Sequence, residues 1–341
     1  MNSVNKWIES TMRTEKSFRF LISLFIIFVF TSIAISTLPS TFGHTFSQNE
    51  NSLFLTRVDQ MHSQLQLVQN LLSTNTSASI NNMNNTKFAQ THAMEAIALL
   101  NQKDPATNFT WNQEIAERNQ RVARDLTRGL NDLKVSLNQK ASTPPNNKSS
   151  LADNNSVIQD NIVNLGGLLD EAVSARVLKD AVNNSTNQAL VLGNVGNEIF
   201  YSYGKAIGFP QAKLTNMVAT MNMSSMSSNM NMQGNNMDNM NNMNADGNKN
   251  GLATDNKVRI LNESEYQNAQ AYVKQAQEIV AKYLKSPESA TKNATSDIQS
   301  QLNKILSQLK MTIDSKGSFS TVMNLIHLQL HPTLISNYKI G

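Results

Sequence analysis

Residues 54–72 read FLTRVDQMHSQLQLVQNLL, and this stretch decides the fold class. Its apolar side chains recur at alternating intervals of four and three residues, at Phe54, Val58, Met61, Leu65, Val68 and Leu72. An α-helix completes a turn in about 3.6 residues, so this spacing places all of them on one face. The stretch is therefore predicted to be an amphipathic helix that buries this face against other helices.

The same helical spacing recurs along most of the chain, whereas no segment shows the strict alternation of a half-buried strand. The third helix is expected to run without interruption from Trp111 to Leu137. The sequence therefore predicts an all-α fold of about eight helices. Five form a bundle in residues 52–210, and three more form a segment in residues 254–341 that packs on this bundle.

Several local motifs predict where helices begin, end or bend. The polar residues 183–186 should separate the fourth helix from the fifth, because Asn and Ser side chains can cap a helix N-terminus. Asn262 and Glu265 have the spacing of a capping box at the start of the sixth helix. The Gly166-Gly167 pair predicts a close helix crossing or a bend, and Pro332 predicts a bend or an end in the last helix.

Residues 211–253 differ in composition from both helical groups. Nearly every residue in the central part of this segment is Met, Asn, Ser or Gly, and very few are charged. Such a low-complexity, Asn-rich and Met-rich tract cannot bury enough apolar surface to form a core. It is predicted to be a disordered connector between the two helical groups.

Residues 20–38, FLISLFIIFVFTSIAISTL, form an uncharged apolar run that predicts a transmembrane helix. At about 1.5 Å for each residue the run spans roughly 28 Å, close to the hydrocarbon thickness of a bilayer. The alternative is a cleaved signal peptide and a secreted protein, because Ala34-Ile35-Ser36 is a small-x-small cleavage motif. The run is longer than the usual apolar region of a signal peptide, which favours the anchor.

Basic residues predict which side of the membrane each part of the chain occupies. Several basic side chains lie in residues 1–19, and no Lys or Arg follows the apolar run until Arg57. Since basic residues tend to stay on the cytoplasmic side, residues 1–19 are predicted to be a cytoplasmic leader. The linker 39–51 and the helical bundle would then lie outside the cell, and the protein would be a single-pass protein of the cell membrane.

Charge and cysteine content exclude several classes of function. The formal net charge is +4, and no basic stripe of the kind that phosphate backbones require is present, which argues against nucleic-acid binding. The chain contains no cysteine, so neither disulfides nor thiolate metal sites can form. No HExxH metal motif, glycine-rich phosphate loop or GxSxG nucleophile motif occurs, and we therefore expect that the protein is not an enzyme.

The connector contains the first candidate ligand set, a cluster of methionines. They are Met221, Met223, Met226, Met230, Met232, Met237, Met240 and Met243. Thioethers are soft, uncharged ligands that suit Cu(I). The composition resembles the Met-rich extracellular tails of copper transporters, which implies copper as the one candidate cofactor. The alternative is a low-complexity spacer that binds no metal.

Two histidines form the second candidate metal site. His327 and His331 lie four residues apart, with Met323 four residues earlier, so a helix would place all three on one face, as in two-histidine metal sites. The alternative is a structural role, in which each ring only forms hydrogen bonds at the edge of the bundle. His92 and Glu95 form another pair on one face, and HAME at these positions is similar to the HxxE element of imelysin-like exported helical proteins.

These observations predict a non-catalytic protein that binds or scaffolds at the outer cell surface. It would be held to the membrane by its N-terminal helix and would engage an unidentified protein partner. The alternative function is extracytoplasmic copper handling, in which the connector captures Cu(I) and the histidines add a second site. The affinity of the methionines for Cu(I) distinguishes the two functions.

Replacing the eight methionines from Met221 to Met243 by serine tests the copper hypothesis. If they bind Cu(I), the full chain should compete with a colorimetric chelator for this ion. The serine variant should then lose the competition, because hydroxyl groups are poor ligands for a soft cation. Helix content from circular dichroism controls for folding, and equal competition by both proteins would exclude the methionines as ligands.

Overall fold

Helices form the regular secondary structure of this protein in the computed structural model, which describes residues 49–73, 79–104, 108–142, 148–217, 257–284 and 292–340. These residues lie within one unit, Phe46–Gly341. The predicted all-α class is confirmed, with no strand in the described ranges. The predicted anchor at residues 20–38 and the connector from residue 218 onward lie outside those ranges. Among the described helices, none is long and apolar enough to cross a bilayer.

The helices fall into two groups along the chain. The first group comprises α1 (Glu50–Ser73), α2 (Ser79–Asn101), α3 (Trp111–Arg118), α4 (Gln120–Ser142), α5 (Lys148–Arg176), α6 (Lys179–Val182) and α7 (Ser185–Ala206). The second comprises α8 (Glu263–Tyr283), α9 (Lys292–Asp314), α10 (Phe319–Met323), a π-helical segment (Asn324–Leu330) and α11 (His331–Tyr338). These named helices exceed the predicted eight because the third, the fourth and the last predicted helix are each divided.

Asn119 divides the predicted third helix into α3 and α4. Its backbone is extended, with φ −151° and ψ 90°, and its Oδ1 accepts a hydrogen bond from Val122 N at 3.2 Å. The side chain thus caps the first turn of α4. Its Nδ2 donates to Glu171 Oε1 at 3.3 Å, so the same residue ties the α3–α4 junction to α5.

Helical structure continues through Pro332 to Tyr338, so Pro332 does not end the last helix. The π-helical segment precedes it, and His331 N donates to Ile326 O, five residues earlier. Pro332 lies in the first turn of α11, directly after the π-helical segment. The wider π-helical turn therefore lets the chain pass a proline without losing its helical course.

Two predicted helix starts are confirmed. At the start of α7, Asn184 Oδ1 accepts hydrogen bonds from Thr186 N at 2.9 Å and Asn187 N at 3.1 Å. At the start of α8, Asn262 Oδ1 accepts from Glu265 N at 3.4 Å. Each side chain satisfies N–H groups that the helix itself cannot pair, an effect worth about 1 kcal/mol for a typical cap.

Helix α8 packs along α7 and joins the second group to the core of the first. Tyr203 of α7 donates a hydrogen bond to Gly317 O at 2.6 Å, and Tyr266 of α8 donates to Ile313 O at 2.9 Å. Apolar side chains of both groups form one hydrophobic core, with Tyr203 among its largest fully buried members. The described helices thus depend on one another for burial.

A buried group of charges links α1, α3 and α5. Arg57 lies 3.8 Å from Asp104 Oδ2 and 4.0 Å from Glu114 Oε1, and Arg176 lies 3.3 Å from Glu114 Oε2. The Arg176 guanidinium also lies 4.8 Å from the centroid of the Phe54 ring. Two cations and two carboxylates compensate one another, which lets these side chains remain within the core.

Gly204 of α7 marks a close approach between helices. A Cβ atom added there would lie 2.9 Å from Leu214 Cδ1 and 3.1 Å from Phe319 Cε2. Leu214 is fully buried in a helical stretch, residues 211–217, so helical structure continues into the first residues of the predicted connector. Only glycine lets both side chains approach α7 this closely.

The predicted close crossing at Gly166-Gly167 is not found. A Cβ atom added to Gly166 would meet only His62 Cε1, at 3.9 Å, and one added to Gly167 would meet nothing within 4 Å. Both glycines lie within the continuous helix α5. The pair therefore leaves open space beside α5 instead of admitting a neighbouring helix.

Gly204→Ala should destabilise the protein by about 1–3 kcal/mol, because the cost of overpacking exceeds the gain of about 1 kcal/mol in helix propensity. Gly167→Ala is the matched control and should stabilise by about 0.5–1 kcal/mol, since nothing obstructs its methyl group. Urea unfolding followed by circular dichroism measures both. A Gly204→Ala protein as stable as the wild type would show that the close approach to α7 is dispensable.

Candidate ligand-binding cleft

A cleft with a volume of about 820 Å³ opens between α1, α5 and α8, with further lining residues from α6 and the start of α7. This volume is within the range typical of small-molecule sites. The walls combine apolar side chains with charged and amide groups, namely Asp59, His62, Ser63, Asp170, Gln275, Glu278 and Lys282. The cleft therefore offers both apolar contact and hydrogen-bonding groups of both charge signs.

Helical spacing explains why these side chains meet. The lining series are Asp59, His62 and Ser63 on α1; Ile162, Gly166, Asp170 and Val173 on α5; and Gln275, Glu278 and Lys282 on α8. Within each series the intervals of three and four residues keep the side chains on one helix face. Three helix faces thus line a single cleft.

The Asp59 carboxyl is half-buried in the cleft wall. Burial raises its pKa from the ordinary value of 3.8 to about 7, because the carboxylate loses hydration that its neighbours replace only in part. Hydrogen bonding by the Gln275 side chain and the positive charge of Lys282 lower this pKa, and the negative charge of Glu278 raises it. Within the described part of the chain, Asp59 forms no ion pair closer than 4.0 Å. This carboxyl therefore exchanges its proton near neutral pH.

His62 connects α1 to α5 across the cleft, with Nε2 3.6 Å from Asp170 Oδ1. Burial lowers the pKa of His62 below 6.5, and the nearby Asp170 carboxylate partly opposes this shift. The ring is consequently neutral at pH 7. A neutral imidazole offers one donor and one acceptor to a bound molecule.

Gln275 is oriented by Ser63, whose Oγ donates a hydrogen bond to Gln275 Oε1 at 2.8 Å. The Gln275 residue is only 8% exposed, and its Nε2 has the Asp59 carboxyl as a nearby acceptor without a hydrogen bond of good geometry among the described residues. A buried donor without a partner costs about 1–3 kcal/mol. Gln275 Nε2 is therefore a donor that the acceptor of a bound molecule can satisfy.

His92 lies in a separate polar network between α1, α2 and α8 and is fully buried. Its Nδ1 lies 2.9 Å from Gln64 Oε1, and Gln64 Nε2 donates to Asn268 Oδ1 at 3.0 Å and to Tyr272 OH at 3.2 Å. Glu95 lies 3.6 Å from His92, so the structure brings the sequence pair together. These groups pair with one another, which favours a structural role in fixing how the three helices pack.

His327 and His331 are also brought together, and both are buried. Their ring centroids lie 5.0 Å apart at 86°, and His331 Nε2 donates to Gly193 O at 3.3 Å. The Phe200 ring lies 4.9 Å from the His327 ring. In the described ranges no cluster of three or more His, Cys, Asp or Glu side chains has the arrangement of a metal site. Metal binding by this pair stays a prediction.

The methionines from Met221 to Met243 lie outside the described residues, so Cu(I) binding by them also stays a prediction. No protein-family model, curated protein sequence or solved structure matches this chain. The functional hypothesis therefore rests on the geometry of the described residues. The cleft combines charged and amide side chains with space for a bound molecule.

The sequence indicates parts of the cleft without revealing it as a site. His62 flanks the apolar stripe of α1, and Gly166 belongs to the glycine pair, and both line the cleft. Asp59 and Gln275 carry no sequence motif, because polar residues beside an apolar stripe are ordinary in amphipathic helices. The pairing of α1 with α8 is what makes them neighbours.

Asp59→Asn should stabilise the protein at pH 8 and have little effect at pH 4. Burial raises the pKa of Asp59 from 3.8 to about 7, so the folded state favours the protonated carboxyl. The contribution of this carboxyl to stability is fully present below pH 3.8 and is lost as pH rises through about 7. The gain at pH 8 should be on the order of 2 kcal/mol, discounted because a half-buried carboxylate keeps part of its hydration. Urea unfolding at both pH values measures it. Equal effects of the substitution at the two pH values would contradict this assignment.

Proposed function

We propose that this protein is a non-catalytic binding protein that takes up a small molecule in the cleft between α1, α5 and α8. The observation that supports this function is an 820 Å³ cleft whose walls hold a carboxyl without an ion-pair partner in the described ranges, Asp59, and a buried amide donor, Gln275 Nε2. Buried polar groups in folded proteins normally have partners. Asp59 and Gln275 pair only incompletely with each other, so a bound molecule that supplies well-aligned partners would lower the cost of burying them.

The hydrogen bonds of the cleft favour binding over nucleophilic catalysis. Ser63 Oγ donates to an amide oxygen of Gln275, and Ser174 Oγ donates to the backbone oxygen of Asp170 at 2.9 Å. His62, the one imidazole among the described cleft residues, contacts Asp170. Neither serine is thus aligned with a base, as an activated nucleophile would require.

The proposal includes a location outside the cell. Residues 20–38 would hold the helical unit at the membrane, with residues 1–19 in the cytoplasm and the linker 39–51 as a tether. In this position the protein would capture its ligand at the cell surface and present it to a protein partner. Cleavage after the apolar run would give a secreted protein with the same binding site.

Filling the cleft tests this function. Gly166→Leu would place a Cβ atom 3.9 Å from His62 Cε1 in the wall of the cleft, and Gly167→Leu is the matched control because a Cβ atom there meets nothing within 4 Å. Both substitutions replace glycine in α5 and should raise helix propensity similarly. We expect wild type and Gly167→Leu to bind the same compounds.

The measurement is saturation-transfer NMR with the full chain in detergent and a mixture of water-soluble metabolites. Gly166→Leu should weaken every specific binder by about tenfold or more, equivalent to about 1.4 kcal/mol, because its side chain occupies the site. Binding that is equal in all three proteins would place the site elsewhere. A complete lack of binders would overturn the proposed function.

A further inference from the structure

The cleft has an acidic pole that requires a cation. Asp59 lies in the wall without an ion-pair partner in the described ranges, and the carboxylates of Asp170 and Glu278 line the same cleft. Lys282 is near enough to lower the pKa of Asp59, but it is exposed and lies over the Tyr283 ring, 4.8 Å from the centroid. A carboxylate removed from water is stabilised by a cation in direct contact. The protein supplies no such cation at Asp59 within the described residues.

The cleft also has a donor pole that requires an anion or a neutral acceptor. Ser63 donates to Gln275 Oε1, and Gln275 Nε2 has the Asp59 carboxyl as a nearby acceptor but forms no hydrogen bond of good geometry with it, although this residue is more than nine-tenths buried. The Lys282 ammonium lines the same part of α8, two helical turns further on. An amide donor and an ammonium together suit a carboxylate.

Apolar side chains form the remaining wall. Ile162 and Val177 are buried, Val173 is half-buried, and all three line the cleft from the side of α5 and the residue that follows it. Burial of an apolar group against this wall favours binding, because it removes apolar surface from water. The ligand therefore carries an apolar part beside its polar groups.

We propose, on the basis of the binding function proposed above, that the ligand is a small zwitterion of amino-acid type with an apolar side chain. Its ammonium group contacts Asp59, its carboxylate contacts Gln275 Nε2 and Lys282 Nζ, and its side chain packs against the α5 wall. A simple amine would leave Gln275 Nε2 with only its poorly aligned contact to the Asp59 carboxyl. A simple carboxylate would leave Asp59 without a cation.

The zwitterion makes binding dependent on pH. Contact with an ammonium group favours the ionised form of Asp59, so affinity should increase as pH rises from about 6 to about 8. The titratable and charged groups that face this position are His62 on α1, Asp170 on α5, Lys179 on α6, and Glu278, Lys282 and Tyr283 on α8. Burial lowers the pKa of the His62 ring, which favours its neutral form.

Three matched probes test the ligand class by isothermal titration calorimetry on the full chain in detergent at pH 8. They are L-phenylalanine, 2-phenylethylamine, which lacks the carboxylate, and 3-phenylpropanoate, which lacks the amine. L-phenylalanine should bind at least about tenfold more tightly than either of the other two, since each lacks one charged contact. Equal binding of the amine or of the acid would overturn the zwitterion.

Two substitutions test which residue contacts each charged group of the ligand. Asp59→Asn should weaken L-phenylalanine by about tenfold and abolish the increase of affinity with pH. Lys282→Gln, at an exposed position, should reduce the preference for L-phenylalanine over 2-phenylethylamine by a similar factor. Asp132→Asn, at an exposed position on α4 away from the cleft, is the control and should change neither. Circular dichroism checks that each variant is folded, and unchanged affinities in Lys282→Gln and Asp59→Asn would overturn the assignment.

The two proposals fail in different ways. If L-phenylalanine does not bind but the metabolite mixture yields compounds that Gly166→Leu weakens, the zwitterion is wrong and the binding function stands. If neither L-phenylalanine nor any compound of the mixture binds, both proposals are wrong. If Gly166→Leu does not change the binding of L-phenylalanine, the amino acid binds outside this cleft and the proposed site is wrong.

Discussion

The burial of α7 on nearly every side is the constraint on which the rest of the structure depends. Fifteen of its 22 residues are buried. A helix without a broad polar face cannot lie at the surface, so other helices must cover it. Helices α1 and α8, together with α10, the π-helical segment and α11, pack against it. Gly196 and Gly204 let side chains from the second group approach closely, which explains why the two helical groups share one core.

Covering α7 with α1 and α8 also brings together polar side chains from distant parts of the chain. Where α2 packs over the pair, His92 and Gln64 join a network with Asn268 in which these groups pair with one another. Where α5 lies beside the same pair, Asp59 and Gln275 remain incompletely paired at the edge of open space. The same two helices therefore carry a structural polar network on the side where α2 packs and a candidate binding site on the side where α5 packs.

The cleft and the Met-rich connector are independent candidates for function. The methionines of the connector lie outside the described residues, whereas α7 and α8 lie within them and pack directly against each other. The prediction of Cu(I) binding and the proposal for the cleft thus rest on different residues. The cleft, in contrast, is built from the same helices that form the core, so its geometry is as stable as the fold.

The sequence by itself determined the helical class, the apolar faces and the helix starts at Asn184 and Asn262, because these features depend on residues within one or two turns of each other. The break at Asn119 was not predicted from the sequence, because the apolar stripe continues through the break. The cleft was decided by tertiary structure alone. Ser63 and Gln275 are 212 positions apart in the chain, and their hydrogen bond forms only because α1 and α8 pack on the same buried helix. Asp59 likewise looks like an ordinary surface carboxylate in the sequence, and its raised pKa arises from burial that the packed helices create.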